Sequence, residues 1–506
     1  MATILAYDFG TGGIKASLYD EQGRCLADGF DAYETFYPAS GFHEQRPRDW
    51  WQATVQSTRK LLTAMPAGAA EQIEVIGISG HSLGVVPMDA QGRLLRDAVP
   101  IWSDSRPDTQ PAEFFTRVPE AAWYTMTGSG FPAPLYAIFK LMWFRDHEPE
   151  MFSSIHKVLG TKDYINFRLC GVMATDPSYA SGSGVYDLKK RMYSETLINA
   201  SGIPADMMAG IVPSTEVLGT LTAAAASELG LPQRVKVVAG GVDNACMSLG
   251  AGAFKEGRAY NSLGSSSWIA VSSAAPLLEP VKRPYVFDHV VPGQYVSALA
   301  IFSAGSSLSW VVGQLCRDLK ARAAAEGVSV YRLIDEEASA APVGANGVFF
   351  NPALAGGSSL DVTPEVRGAF MNLDLRHTRA DLLRAVMEGV SLGLRTVLDE
   401  LCALTPVAEP LILVGGGANS PFWRQIYADV YHMPVVRTRA GQQAAALGAA
   451  AVAGVGAGLW KGFGIIDEIS AVTDRNEPDE EHARQYEAIL VRYRQAAKLL
   501  GTWAGA

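Results

Sequence analysis

Cysteine is sparse and unpatterned in this sequence. Cys25, Cys170, Cys246, Cys316 and Cys402 are widely spaced, odd in number and contain no CxxC pair. That excludes a disulfide framework and a cysteine-built zinc site, and it points to reduced, mostly buried thiols. Basic charge is short as well: 42 Lys and Arg face 52 Asp and Glu, a net charge of −10. No positive field exists to neutralise a run of phosphates, so nucleic acid is excluded as a partner. Hydrophobic runs able to cross a bilayer are missing too. The longest candidate, residues 444–460, is made almost wholly of Ala and Gly, which suits a helix packed tightly inside a protein, and no membrane association is expected. The first residues carry no basic segment ahead of an apolar one, so no secretory signal is expected and the cytoplasm is the expected compartment.

What is present is an ordinary globular composition, 48% apolar and 19% charged, over 506 residues. That length exceeds a single core, so two large domains are expected. Near the midpoint, residues 235–252 read as a short buried strand (Val235, Val237, Val238), a glycine turn (Gly240, Gly241) and a helix. Asp243 sits where the turn enters the helix. An Asp there can be a cap, accepting the orphan amides of the first turn. It can also be a carboxylate held ready for chemistry, and the rest of the chain favours that.

Residues 3–20 read as a strand, a Gly/Thr turn (Thr11, Gly12) and a second strand carrying Lys15. A further turn at residues 20–23 leads into a third strand, an antiparallel meander. Residues 258–271 repeat the strand–turn–strand pattern, with Gly264, Ser265 and Ser266 in the turn. The two turns lie half a chain length apart. That is an internal duplication, and it predicts domains over residues 1–250 and 251–506. Each turn offers backbone amides and hydroxyls without bulk, the makings of an anion nest. Two such turns flanking a central Asp describe a clamp around a nucleotide's phosphate chain.

Residues 411–425 read as a strand, three contiguous glycines (Gly415, Gly416, Gly417), then Ala418, Asn419 and a helix. The glycines let backbone approach a planar group, but they do not form G-x-G-x-x-G, so a nicotinamide site is excluded. In the first half, residues 76–84 read as a strand ending in a turn at His81-Ser82-Leu83, and residues 100–106 bring Trp102, Asp104 and Arg106 together. An aromatic face with directional polar partners suits a polyhydroxylated ligand. A surface Asp–Arg pair beside a core Trp fits the same spacing. Residues 161–169 read as a structural helix with Tyr164, Ile165, Phe167 and Leu169 inward. Residues 175–184 read as a polar, solvated connection unless they line a ligand cleft.

These segments resemble the FGGY family of carbohydrate kinases, within the actin/hexokinase superfamily. Asp8-Phe-Gly-Thr-Gly resembles its first phosphate motif and Leu263-Gly-Ser-Ser-Ser its second. Gly240-Gly-Val-Asp-Asn-Ala resembles the segment bearing its catalytic Asp, and residues 415–425 its adenosine motif. Gly368-Ala-Phe with residues 382–389 resembles its C-terminal signature helix. Within the family, residues 130–134, 147–150, 162–164 and 243–245 look most like the xylulokinases. There are departures. Xylulokinases carry Gln-Met-His where this chain has His81-Ser82-Leu83, Gly13 and Ser265 replace Ser and Thr in the phosphate turns, Gly357 stands in place of Glu, and Gln443 stands in place of Glu.

The resemblance implies an α/β fold of two duplicated ribonuclease H-like domains with a catalytic cleft between them. It implies transfer of phosphate from ATP, with Mg²⁺, to a primary hydroxyl of a small sugar, D-xylulose first. Another ketose or an alditol is the alternative, and an ATP-driven clamp or an inactive sugar sensor stands behind those. By the same resemblance Asp243 is the base, and Asp8 orients Mg²⁺ through water. Thr11, Gly12, Lys15, Gly264, Ser265 and Ser266 hold phosphate oxygens, and residues 415–419 hold adenosine. His81, Ser82, Trp102, Asp104 and Asn244 bind the sugar, which meets Leu83 with an apolar edge. A homodimer is an open option for its assembly.

Overall fold

A computed structural model describes residues 2–505. The chain forms two compact units, each built on its own mixed sheet.

The first unit comprises residues up to 256 together with 272–297 and 443–470. Its sheet runs in the order Val217–Thr220, Lys236–Val238, Ile73–Gly80, Thr3–Gly10, Gly13–Asp20, Cys25–Ala32. Thr3–Gly10 is antiparallel to the next strand and parallel to Ile73–Gly80. Its residues are buried along nearly the whole length, as expected of a central strand covered on both faces. The helix Pro47–Ala64 packs on the Gly13–Asp20 and Cys25–Ala32 strands, and Ala444–Gly456 packs on Thr3–Gly10 and Ile73–Gly80. Large side chains fill the core between these layers, among them Tyr7, Phe9, Trp50, Ile76 and Ile78.

The Ala/Gly helix is interior, as its composition predicts: residues 444–454 are all buried. No helix among the described residues is long and apolar enough to cross a membrane. It lies against the helix Asp243–Ala251 at backbone contact distance. A Cβ on Gly250 would stand 1.8 Å from the Ala444 oxygen, and one on Gly448 would stand 1.9 Å from the Cys246 oxygen. Only glycine allows that crossing.

The second unit comprises residues 257–271, 298–442 and 471–505 of the described chain. Ala259–Leu263 is antiparallel to Ser267–Ser273 and parallel to Leu411–Val414, which is followed by Val435–Thr438 and Val472–Asn476. A hairpin whose first strand gains a parallel neighbour after a helical crossover is the plan of the first unit as well, so the duplication is real. The long helix Arg379–Leu404 opens with a capping box of Thr378 and Asp381, which satisfies two orphan amides.

Residues 272–297 and 443–470 lie in the second half of the sequence and group with the first unit. One expectation is corrected. The thiols are not mostly buried: Cys246 and Cys316 are, Cys170 is half-buried, and Cys25 and Cys402 are exposed.

Candidate active site

Asp243 is the first residue of the helix Asp243–Ala251, and Val242 occupies the cap position. The carboxylate therefore does not cap the helix in the usual way. Its Oδ1 accepts the Asn244 amide at 2.7 Å. The side chain is only partly covered from solvent, yet protein crowds it enough to raise its pKa to about 7. Burial is the larger cause, the negative charge of Asp8 the second, and the amides of Asn244 and Asp243 oppose them. Two carboxylates near one another cannot both ionise freely.

Sheet register explains the pairing. Ser79 stands opposite Asp8 on one side and Gly241 on the other. Its hydroxyl donates to Asp8 Oδ1 at 2.9 Å. Lys15 stands opposite Asp8 on the hairpin, its Nζ 4.0 Å from Oδ2. Burial raises the pKa of Asp8, while Lys15 and Ser79 oppose it. No group of three or more His, Cys, Asp or Glu side chains among the described residues could hold a metal. A pair of carboxylates fits Mg²⁺, which keeps several waters and takes one or two protein carboxylates beside phosphate oxygens.

The turn after Asp8 is tied down from one side and open on the other. The Thr11 carbonyl accepts from Gln45 Nε2 at 2.7 Å, and its hydroxyl accepts from the Trp102 indole at 2.9 Å. Gly12 is exposed, with nothing within 4 Å of where a Cβ would be. Trp102 thus braces the turn, half-buried, as well as offering a ring.

The remaining sugar candidates divide. Ser82, Trp102 and Asn244 are partly exposed. Asp104 is fully buried, both oxygens engaged by Arg106 at 2.9 and 2.7 Å and by the His43 amide at 2.7 Å. It is a buried partner of Arg106 rather than a surface group, and it fixes the loop that carries Trp102. Leu83 is also buried, in a left-handed conformation (φ 61°) with its carbonyl accepting from Lys140 at 3.0 Å. His81 is buried beside Thr161 Oγ1 and edge-on to Trp50, and burial lowers its pKa to about 4, so it is neutral.

The second unit holds a cavity of about 760 Å³ lined by Gly264, Ser265, Gly416, Gly417 and Asn419 among others, a volume suited to a nucleotide. Gly415 and Ala418 stand behind it. Gly415 has φ 92°, and a Cβ there would lie 2.7 Å from the Leu263 oxygen, while Ala418 is buried. Ser266 is partly exposed and does not line the cavity; its carbonyl closes the turn onto the Gly264 amide at 3.1 Å. The amides of Ala304 and Ser306, beside the helix Gly305–Leu315, grip the Ser265 carbonyl at 2.8 and 3.1 Å. Leu308, Tyr331 and Asp335 complete the lining. No motif marks them, because they arrive from helices distant in sequence. Gly416→Val would place bulk inside this cavity. Calorimetry should show ATP affinity falling about tenfold or more, with sugar affinity unchanged.

A two-unit α/β fold, a nucleotide-sized cavity beside one Gly/Ser turn and a carboxylate pair beside its duplicate define a phosphotransferase of the sugar-kinase class. Residues 3–250 match the N-terminal domain of the FGGY family of carbohydrate kinases and residues 259–457 its C-terminal domain; the chain belongs to that family. It is 33% identical over 457 residues to a xylulose kinase of Escherichia coli, covering 90% of each chain. It is 29% identical over 464 residues to one of Bacillus subtilis, covering 91% of this chain and 89% of that one. In fold it matches the ligand-bound xylulose kinase of Lactobacillus acidophilus, with a TM-score of 0.90 at 23% identity over 100% and 99% of the two chains.

Proposed function

We propose that this sugar kinase transfers the γ-phosphoryl group of ATP to a primary hydroxyl of a ketopentose, D-xylulose first, with Asp243 as general base. The observation that carries the reading is the partly exposed carboxylate of Asp243, its pKa near 7 beside Asp8. A base is most effective when its pKa lies near the working pH. Asp243 accepts the proton of the attacking hydroxyl as the oxygen bonds to phosphorus and ADP leaves. Lys15 and the Thr11–Gly12 turn supply cation and amide donors to phosphate oxygens, and the Gly264–Ser265 turn does so from its own unit's cavity. Asp8 would hold Mg²⁺ through water, and the ion would supply positive charge to the phosphates. Ser82 and Asn244, partly exposed, are the hydroxyl partners for the sugar, with Trp102 as its apolar wall.

The choice of D-xylulose is supported by the xylulose kinases of Escherichia coli and Bacillus subtilis among its relatives, and by the Asp243-Asn244 pair. The His81-Ser82-Leu83 departure keeps other ketoses and alditols as the alternative. A coupled ADP-release screen across pentuloses, hexuloses and alditols separates them. The expected result is sugar-dependent ADP release with the highest kcat/KM for D-xylulose. A higher value for a hexulose or alditol reassigns the substrate, and sugar-independent ADP release removes the kinase mechanism itself.

A further inference from the structure

The Gly240–Gly241 turn cannot brace itself. Gly240 has φ 75°, and a Cβ on Gly241 would meet Val290 at 2.2 Å. Without side chains, the segment that aims Asp243 must be held from outside, and it is held at nearly every residue. The Ala239 amide donates to the Glu216 carbonyl at 2.9 Å and the Gly240 amide to the Ser214 carbonyl at 3.0 Å. The Ala239 carbonyl accepts from Lys162 Nζ at 3.2 Å and Asn166 Nδ2 at 2.8 Å. The Val242 amide, next to Asp243, donates to Ser178 Oγ at 2.9 Å.

The polar grips converge on one buried cluster. Ser178 Oγ donates to Asp176 Oδ2, which also accepts from the Ser178 amide at 3.0 Å and Ser214 Oγ at 2.8 Å. Asp176 Oδ1 lies 2.9 Å from Lys162 Nζ, which also pairs with Asp163 at 2.5 Å. Lys162, Asp176 and Ser178 have no exposure, so the segment read as a solvated polar connection is interior. Burial works against the ammonium, but Asp163 and Asp176 outweigh it and raise its pKa, so Lys162 stays charged. An ion cluster this deep is poor value for stability, because well-packed apolar residues often do as well or better. Its geometry serves direction instead.

We infer that Lys162, Asp176 and Ser178 are positioning residues for Asp243, fixing the backbone of residues 239–242 so that the carboxylate keeps one orientation. The inference rests on Asp243 being the base. Displacing a catalytic group by about 1 Å can cost on the order of 10²-fold in rate. Ser178→Ala, which frees the Val242 amide and one Asp176 lone pair, should lower kcat roughly 10-fold and leave the KM for ATP unchanged. Ser214→Ala loosens Asp176 alone and should lower kcat about 2-fold.

The deciding measurement is a double-mutant cycle with Asp243→Asn, read by single-turnover phosphoryl transfer on protein whose thermal melting is recorded alongside. If Ser178 and Ser214 act through Asp243, each alanine costs its full factor in the wild-type background and nothing further in Asp243→Asn. Equal losses in both backgrounds, or an unchanged kcat in both alanine variants, overturn the inference. Wild-type turnover in Asp243→Asn alone overturns the base assignment first, so the two failures are told apart. Should Ser178→Ala not fold, the Ser214→Ala arm carries the same test.

Discussion

Asp243→Asn should bind ATP and sugar near normally and transfer phosphate at least about 10²-fold more slowly, as loss of a positioned general base does. The substitution is nearly isosteric. Its amide oxygen can still accept the Asn244 N–H that holds the carboxylate now at 2.7 Å, so the helix start is kept. Removing one of two mutually repelling carboxylates also relieves Asp8, which favours folding rather than opposing it. A slow variant that melts at or above the wild-type temperature therefore isolates the chemistry. The same group sets the pH profile. Its pKa is raised to about 7 by burial and by Asp8, and only the ionised form accepts a proton. Turnover should fall as pH drops through 7, approaching tenfold per unit, and the acid limb should vanish in Asp243→Asn. Wild-type turnover in the variant, or a flat profile down to pH 5, sinks the assignment.

The parts of this enzyme legible in the sequence are those whose chemistry sits within a few consecutive residues. The Thr11–Gly12 and Gly264–Ser265 turns, the triple glycine and the Asp after Gly240-Gly241 each owe their shape to local backbone freedom, so spacing alone marks them. The strand hairpin repeated around residues 10 and 264 likewise disclosed the duplicated sheets. What spacing could not disclose is where a polar side chain points. Asp104 and Arg106 read equally well as a ligand grip or a surface pair, and the structure makes them a buried pair. The segment from Asp176 to Ser183 looks solvated because it is polar. It is interior because Lys162, Ser214 and the Val242 amide, all remote in sequence, satisfy it. Burial of charge is decided by partners, and partners are tertiary. The grouping of residues 443–470 with the first unit escaped for a related reason: a duplication shows where strands repeat, not which body claims a helix that follows them.

The Ala444–Gly456 helix makes a second prediction about as large. Helices Asp243–Ala251 and Ala444–Gly456 cross with backbone against backbone. A Cβ on Gly448 would stand 1.9 Å from the Cys246 oxygen and 2.6 Å from its carbonyl carbon, where no flexible side chain can yield. Gly448→Ala gains roughly 1 kcal/mol of helix propensity. The steric term opposes it, because overpacking a rigid core costs about 1–3 kcal/mol and more where backbone must move. The clash wins, and net destabilisation of about 2 kcal/mol is expected from denaturant unfolding. Cys246 is one turn beyond Asp243 on the same helix, so relief of the clash shifts Asp243. kcat should fall with stability, while the KM for ATP, whose proposed cavity lies in the other unit, stays put. Gly462→Ala is the control, since nothing lies within 4 Å of its Cβ position. Stability and kcat both unchanged in Gly448→Ala would mean the two helices do not meet at these glycines.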